Sequence, residues 1–202
     1  MSATHGRLGL LLAGGRGVRL QAGVPKALAQ LGERTLLAHA HATLAACTER
    51  VLVVAPHDLA LGAEPFERLS DPPGDTGPLG ALVAGLAAGP FHEAFVLPVD
   101  LPGVTEAHLC ALADRRGDAP LVVAEVAGRL QPLVGVYAAA AVAPLTTAWR
   151  DGERSVTRAV LAAGATAIPV ESLPGSLEDW LNVNTPDDLV RASARYAIGG
   201  AR

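Results

Sequence analysis

Residues 8–20 carry the sequence Leu-Gly-Leu-Leu-Leu-Ala-Gly-Gly-Arg-Gly-Val-Arg-Leu, in which an apolar run leads directly into a glycine-rich segment. The uninterrupted apolar run at residues 8–13 is typical of a central strand that is buried on both faces of a parallel sheet. Further apolar runs at residues 51–55 and 94–98 repeat the pattern. Because segments of helical length separate these runs, the sequence predicts an α/β fold with a mainly parallel sheet and helices on both faces.

The later part of the chain predicts one departure from a purely parallel sheet. Two strand-like stretches, residues 120–125 and 130–137, flank a turn at residues 127–129, so an antiparallel pair is expected there. A final helix is predicted from Pro186, with Thr185 as its N-cap and two aspartates in its first turn. The other predicted elements are helices at residues 35–47, 79–88, 106–115, 138–149 and 156–163, a strand at residues 166–170, and a loose tail at residues 199–202.

Composition predicts one globular domain over residues 1–202. Half of the chain is hydrophobic and 18% is charged, which excludes a disordered chain. The formal net charge of −4 argues against a nucleic-acid-binding surface. No apolar run reaches the roughly 18 residues of a membrane helix. There is no signal-peptide pattern, and two cysteines suit a reducing compartment, so we expect a cytoplasmic protein.

Lys26 is the only lysine in a chain that has 16 lysine and arginine residues in total. A general preference for arginine over lysine would account for this composition. A functional need for a compact ammonium group at this position would account for it equally well, because arginine and lysine are not interchangeable at a binding site. Composition alone leaves both interpretations open.

The glycine-rich segment after the first strand is expected to bind phosphate. Glycines let backbone N–H groups approach a ligand closely, and consecutive amides can form an anion-binding nest. Arg16, Arg19 and Lys26 add positive charge nearby. The segment lacks the Gly-Lys-Ser/Thr of a Walker A loop, and Leu20 stands where a dinucleotide-binding pattern needs its third glycine. The alternative is an ordinary glycine-rich turn with surface arginines.

Asp100 follows the apolar run at residues 94–98 and lies between two prolines in the stretch Pro-Val-Asp-Leu-Pro. An aspartate at the carboxyl end of a buried strand is at the edge where α/β sheets bind ligands. A carboxylate there suits Mg²⁺, which is usually held by one or two carboxylates together with substrate phosphates. The alternative is an aspartate that only caps a turn.

Taken together, these segments resemble the Rossmann-like nucleotidyltransferases, and more specifically the molybdenum cofactor guanylyltransferase family. The resemblance runs from about residue 8 to residue 192. The glycine-rich segment and the stretch around Asp100 are shared with cytidylyl- and sugar nucleotidyltransferases. Further landmarks occur in the family's order, the last being the most family-specific: Gly-Pro-Leu at 77–79, Pro-Leu at 132–133, Gly-Glu-Arg at 152–154 and Asn-Val-Asn-Thr-Pro at 182–186.

The resemblance implies a three-layer nucleotidyltransferase fold that transfers GMP from GTP to the molybdopterin form of molybdenum cofactor, with release of pyrophosphate. It implies a catalytic role for Arg19, Lys26 and Asp100. For the nucleotide, it implies backbone contacts from Leu12, Ala13 and Gly14, phosphate contacts from Gly15 and Arg19, a triphosphate contact from Lys26 and a guanosine contact from Asp71. For the metal, it implies that Asp100 binds Mg²⁺. Asn182 and Asn184 are implied to contact the acceptor or the outer shell of the metal.

The resemblance also divides the domain into a nucleotide-binding part at about residues 8–115 and an acceptor-binding part at about residues 116–198. GTP and molybdopterin are the implied partners. Transient contacts with other proteins of cofactor biosynthesis or with molybdoenzymes fit this role, and a monomer or weak homo-oligomer is expected.

Two features leave alternatives open. The pair Pro25-Lys26 is more typical of sugar and polyol nucleotidyltransferases. A carboxylate accepts the hydrogen bonds that guanine N1–H and N2–H donate, and both Asp71 and Asp75 are candidates for that role or for simple turn capping. The alternative functions are a nucleotidyltransferase that uses CTP or a sugar phosphate, and a catalytically silent nucleotide-binding regulator.

Overall fold

The strands form one large sheet and one small hairpin in a computed structural model that describes residues 6–14, 23–61, 66–72 and 77–199. The hairpin pairs β2 (Gln30–Leu31) with β3 (Arg34–Thr35) in antiparallel orientation. The strands of the large sheet are β1 (Arg7–Leu12), β4 (Arg50–Ala55), β5 (Glu67–Ser70), β6 (Glu93–Pro98), β7 (Leu121–Val126), β8 (Arg129–Ala138) and β9 (Ala165–Pro169). Their order across this sheet is β5-β4-β1-β6-β8-β7-β9.

Six α-helices in the described part of the chain connect these strands, and four short 3-10 helices supplement them. Thr35 and Ser155 begin two of the α-helices as N-caps, because their hydroxyls accept hydrogen bonds from backbone amides of the first turn. The α-helices are α1 (Leu36–Ala45), α2 (Gly77–Leu86), α3 (Glu106–Arg116), α4 (Val142–Arg150), α5 (Val156–Ala162) and α6 (Pro186–Gly199), and the 3-10 helices are Lys26–Leu28, Ala139–Ala141, Val170–Ser172 and Leu177–Trp180.

The predicted sheet is confirmed, and one strand accounts for its antiparallel character. β1 pairs in parallel with β4 on one side and with β6 on the other. β8 runs antiparallel to both of its neighbours, β6 and β7, while β7 and β9 are parallel. The turn predicted at residues 127–129 is the connection of the β7–β8 hairpin, where Ala127 and Gly128 adopt positive φ angles.

Two apolar cores, one on each face of the sheet, produce the predicted three-layer architecture. Side chains of β1 alternate between them, with Leu10 on one face and Leu11 on the other. The Leu11 face is covered by α1 and α3, and the Leu10 face by α2, α4 and α5. On the Leu10 face, α2 approaches β1 so closely that a Cβ atom at Gly85 would collide with the Leu10 side chain.

Some local features differ from the sequence predictions. The segment predicted as one helix at residues 138–149 is a short 3-10 helix, Ala139–Ala141, followed by α4. β5 was not predicted, because its residues Glu-Arg-Leu-Ser lack an apolar run and the strand lies at the sheet edge with its ends exposed. Gly199 belongs to α6 rather than to the predicted tail, and residues 200–202 lie outside the described residues. Among the described helices, none combines the length and apolar character needed to span a membrane.

Candidate active site

The carboxyl ends of β1, β4, β5 and β6 lie next to one another, and the hydrogen bonds between these strands continue past their ends. The Ala13 amide donates to the Val54 carbonyl at 2.8 Å, and the Asp71 amide donates to the Ala55 carbonyl at 2.9 Å. The Val99 amide donates to the Leu12 carbonyl at 3.2 Å. The segments that carry Ala13, Asp71 and Asp100 are therefore held at one edge of the sheet. The sequence predicted this position for Ala13 and Asp100 from the ends of buried strands. Asp71 was a candidate from the motif resemblance alone.

Lys26 joins two of the predicted site residues directly. It begins the 3-10 helix Lys26–Leu28, and its Nζ donates to Asp100 Oδ2 at 2.9 Å and to Asn184 Oδ1 at 2.7 Å. The lysine and aspartate side chains are 18% and 25% exposed, so this ion pair is partly shielded from water. Asp100 and Asn184, which are 74 and 158 positions from Lys26 in the sequence, thus meet at its ammonium group.

A small apolar cluster explains why the C-terminal segment reaches Lys26. Val183 is fully buried in this cluster, and its amide donates a hydrogen bond to the Asp100 carbonyl at 2.8 Å. The flanking Asn184 is exposed and extends to the lysine. The buried members of the cluster come from the segment after Lys26, from α1 and from the C-terminal region: Ala29, Leu31, Leu36, Val183 and Leu189.

Asp188 fixes the backbone on which Asn184 stands. Its Oδ2 accepts hydrogen bonds from the amides of Asn184 and Thr185 and from the Thr185 hydroxyl, which in turn accepts from the Asp188 amide at 3.1 Å. These hydrogen bonds lower the pKa of Asp188. The bond from the Thr185 hydroxyl has the largest effect, and those from the two amides come next. The sequence identified Thr185 as N-cap but not this role of Asp188, although the spacing Thr-x-x-Asp is that of a reciprocal capping box.

Asp71 lies over Gly14 at the end of β1. A Cβ atom at Gly14 would stand 3.0 Å from Asp71 Oδ2, so the glycine leaves room for the carboxylate. Asp71 Oδ1 is buried and has no hydrogen-bond partner among the described residues. Burial raises the pKa of Asp71, and the nearby Arg68 guanidinium opposes part of that shift. A buried carboxylate oxygen without a donor is suited to accept hydrogen bonds from a ligand.

The remaining predicted residues are distributed as follows. Leu12 and Ala13 have buried side chains, which leaves only their backbone groups for a ligand. Asn182 is partly buried, and its side chain makes no hydrogen bond to Lys26 among the described residues, whereas Asn184 does. Four predicted candidates, Gly15, Arg16, Arg19 and Asp75, lie outside the described residues.

Asp100 would have to hold a metal ion without a protein carboxylate cluster. Within residues 6–14, 23–61, 66–72 and 77–199 there is no group of three or more His, Cys, Asp or Glu side chains that could bind a metal. Asp100 Oδ2 accepts a hydrogen bond from Lys26 Nζ, so a cation bound to this carboxylate would lie beside the ammonium. One carboxylate supplemented by ligand phosphates is a common arrangement for Mg²⁺.

The three-layer sheet with an ionic site at its carboxyl edge has the architecture that the motif resemblance implied, that of a Rossmann-like nucleotidyltransferase. The fold is shared with a solved structure described as molybdopterin-guanine dinucleotide biosynthesis protein A from Archaeoglobus fulgidus. The TM-score is 0.77 at 21% identity, and the match covers 95% of this chain and 99% of that chain. The sequence of residues 9–167 matches the family model of the MobA-like NTP transferase domain. The chain belongs to this family.

Two curated relatives match this chain over most of its length and over most of their own. A probable molybdenum cofactor guanylyltransferase of Chloroflexus aggregans is 36% identical over 191 residues, which is 90% of this chain and 90% of the relative. A molybdenum cofactor guanylyltransferase of Pseudomonas syringae is 32% identical over 182 residues, or 88% of each chain. The resemblance identified from the motifs is thereby confirmed, as is the assignment of the chain to the nucleotidyltransferases.

Proposed function

We propose that this protein transfers GMP from GTP to the terminal phosphate of molybdopterin and releases pyrophosphate, which yields the guanine dinucleotide form of molybdenum cofactor. The observation that carries the proposal is Lys26, which stands between Asp100 and Asn184 at the carboxyl edge of the sheet. The names of the full-length relatives support the choice of nucleotide and acceptor.

Lys26 and Asp100 divide the electrostatic work of the reaction. Attack on the α-phosphorus builds negative charge on its non-bridging oxygens and on the departing pyrophosphate. The Lys26 ammonium has three N–H donors and can offset part of that charge at the triphosphate. Asp100, assisted by the Asn184 amide oxygen, presents the hard oxygen donors that Mg²⁺ prefers, and we propose it as the metal ligand. A bound cation would supply further stabilisation of phosphate charge.

The glycine-rich edge and Asp71 are proposed to hold the nucleoside end of GTP. Gly14 brings the backbone close to Asp71, and the buried Asp71 Oδ1 has no donor in the described structure. A carboxylate accepts two hydrogen bonds from guanine N1–H and N2–H, which cytosine does not offer in the same arrangement. We propose that Gly15 and Arg19 contact the phosphates of GTP. We also propose that Leu12 and Ala13 contact the nucleotide through backbone groups that are not already hydrogen-bonded within the sheet.

The acceptor is proposed to bind beside Asn184, with Asn182 on the same extended segment. We propose that the acceptor binds in the C-terminal part of the chain, at about residues 116–198, and the nucleotide in the part at about residues 8–115. Because the nucleophile is already a phosphate anion, the reaction needs no strong general base. The site accordingly requires cations and amides more than a proton-transfer residue.

Thermal unfolding with each nucleotide tests the proposal. We expect GTP with Mg²⁺ at about 100 times its dissociation constant to raise the Tm by roughly 5 to 10 °C, and CTP, ATP and UTP to have much smaller effects. Stabilisation by CTP but not GTP would contradict guanine specificity. Stabilisation by GTP without guanine dinucleotide formation from molybdopterin would favour a silent nucleotide-binding regulator or another acceptor.

A further inference from the structure

We propose that Lys26 acts as a counter-ion that keeps a divalent cation away from Asp100 until the phosphates of a nucleotide engage the lysine. The inference rests on the proposed function, because it assumes that nucleotide phosphate and a cation share this site. It adds an order of binding: the nucleotide, or a nucleotide–metal complex, occupies the site, whereas the free metal ion does not.

The geometry places the ammonium on the oxygens that a cation would use. Lys26 Nζ lies 2.9 Å from Asp100 Oδ2 and 2.7 Å from Asn184 Oδ1. A carboxylate oxygen and an amide oxygen are the ligand types that hard divalent cations take from proteins. Among the described residues, two of the three N–H donors of the ammonium have acceptors, and the third is available to an incoming phosphate.

The charges at this position disfavour a free metal ion. The single negative charge of Asp100 is balanced by Lys26 across a partly shielded contact. A dication that approached Asp100 would be repelled by the ammonium, and no carboxylate cluster in the described part of the chain compensates for that repulsion. Mg²⁺ also gives up its water ligands reluctantly, so one neutralised carboxylate offers it little.

A triphosphate reverses both effects. Its negative charge competes with Asp100 for the lysine, and it contributes phosphate oxygens of its own to the cation. The flexible four-carbon stem of lysine allows the ammonium to move from one acceptor to another, whereas an arginine fork would hold a carboxylate through two hydrogen bonds. This offers a physical reason for a lone lysine at position 26 in a chain that otherwise uses arginine.

The direct test is a titration of the whole chain with Mn²⁺ in the absence of nucleotide. The electron paramagnetic resonance signal of free Mn²⁺ measures how much of the ion is bound. We expect Lys26→Met to bind Mn²⁺ about tenfold or more tightly than the unmodified protein, because a neighbouring positive charge is removed from a partly shielded site. The double variant Lys26→Met/Asp100→Asn should lose the gain. Unchanged or weaker Mn²⁺ binding by Lys26→Met would overturn the proposal, and Lys26→Gln provides a second neutral variant should Lys26→Met misfold.

Arg158→Met is the matched control. Arg158 pairs with Glu153 through hydrogen bonds of 2.8 and 2.7 Å, so the substitution also removes one positive charge from beside a carboxylate. We expect its Mn²⁺ affinity to stay within about twofold of the unmodified protein, since Glu153 Oε1 keeps the hydrogen bonds that it accepts from the Arg154 and Ser155 amides. An equal gain in Arg158→Met and Lys26→Met would contradict a specific role for Lys26.

The nucleotide arm separates this inference from the proposed function. In the unmodified protein, GTP should tighten Mn²⁺ binding strongly, and in Lys26→Met the difference between Mn²⁺ binding with and without GTP should be smaller. A tighter Lys26→Met site without nucleotide would support the counter-ion role even if GTP failed to stabilise the protein, a result that would contradict the proposed function alone.

Discussion

The Val183 amide donates a 2.8 Å hydrogen bond to the Asp100 carbonyl, and this bond attaches the C-terminal Asn-Val-Asn segment to the residue that follows β6. The Val183 side chain is fully buried next to Leu31 and Leu36, so the attachment does not depend on a ligand. Asn184 is consequently placed beside the Lys26–Asp100 ion pair. Contacts within the protein thus hold the three side chains together, and groups that are held in position lower the ordering cost of catalysis.

Asp100→Ala should lower Mg²⁺-dependent pyrophosphate release by about 10²-fold or more, because the proposed metal ligand and part of the charge at the phosphates are lost. The fold should persist, since the Asp100 side chain is partly exposed and its backbone hydrogen bond to Val183 remains. Circular dichroism and Tm check the fold, and Asp114→Ala on the exposed face of α3 is a control. Pyrophosphate release close to that of the unmodified protein would exclude the metal role.

Lys26→Arg should lower kcat/KM by about tenfold or more, the cost of one misplaced charge-assisted hydrogen bond. The two acceptors of Lys26, Asp100 Oδ2 and Asn184 Oδ1, converge on one nitrogen, and a planar guanidinium cannot reproduce that point contact. Steady-state kinetics measure the effect, with Arg34→Lys at an exposed position as the reverse control. Near-normal kinetics of Lys26→Arg would leave composition bias as the explanation of the single lysine.

Asn184→Ala and Asn182→Ala should differ in their effects. Asn184 contacts Lys26, so its removal should lower kcat/KM by about tenfold, as expected for one hydrogen bond to a charged group. Asn182 lacks that contact in the described structure, and its substitution should act mainly on KM for the acceptor. Kinetics with each substrate varied in turn make the comparison, and identical profiles for the two variants would contradict the distinction.

Asp71→Asn should stabilise the protein while weakening GTP binding. Burial raises the pKa of Asp71, so the folded state binds a proton more readily than the unfolded state, and ionisation of Asp71 reduces stability as pH rises through the raised pKa. The amide carries no charge, and we expect the free energy of unfolding at pH 7 to increase by about 0.5–1 kcal/mol. GTP affinity should fall about tenfold, because an amide does not match two guanine donors.

Denaturant unfolding at several pH values and GTP titration measure the two effects of Asp71→Asn. The stability difference from the unmodified protein should shrink as pH falls and Asp71 becomes protonated. A variant that binds GTP normally would exclude Asp71 from base recognition, and a variant less stable at pH 7 would contradict the assigned cost of the buried charge.

The buried His108 should lower the free energy of unfolding as the pH falls below about 6.5. The His108 ring is buried, with Nδ1 accepting a 2.9 Å hydrogen bond from the Thr105 amide and Nε2 lying 3.9 Å from Asp179 Oδ2. Burial lowers the pKa of His108, and the Asp179 carboxylate and the Pro174 carbonyl oppose that shift. Below the unfolded-state pKa of about 6.5 the unfolded chain binds the extra proton, so stability decreases as pH falls from there toward the folded-state pKa.

His108→Gln tests this pH dependence. The substitution removes the titrating group, so only the unmodified protein loses stability through His108 as the pH is lowered from 7.5 to about 5.5. The free energy of unfolding should therefore fall more in the unmodified protein than in His108→Gln over this range. Denaturant unfolding at each pH provides the measurement. A constant difference in unfolding free energy between the two proteins over this range would show that His108 does not titrate between the folded and unfolded states.

Local sequence patterns were sufficient for the central sheet. The runs that became β1, β4 and β6 are continuous and apolar, because a strand covered by helices on both faces has no polar face to reveal. β5 escaped prediction because an edge strand with exposed ends carries no such signal. The antiparallel pair followed from its turn, but the position of β8 between β6 and β7 did not, since a hairpin turn specifies only the partner that it connects.

The sequence by itself determined the candidate groups of the site. The glycine-rich segment and Asp100 follow predicted buried strands, Lys26 adds charge near the glycines, and the motif resemblance implied Asp71 and Asn184. Lys26, Asp71, Asp100 and Asn184 were all candidates at that level. Only the tertiary structure decided which of them lie together: Lys26 bonds to Asp100 and Asn184, and Asp71 lies over Gly14. The reason is physical. Strand and helix patterns are local properties of the chain, whereas contacts across 74 and 158 residues depend on how the apolar cluster around Val183 packs.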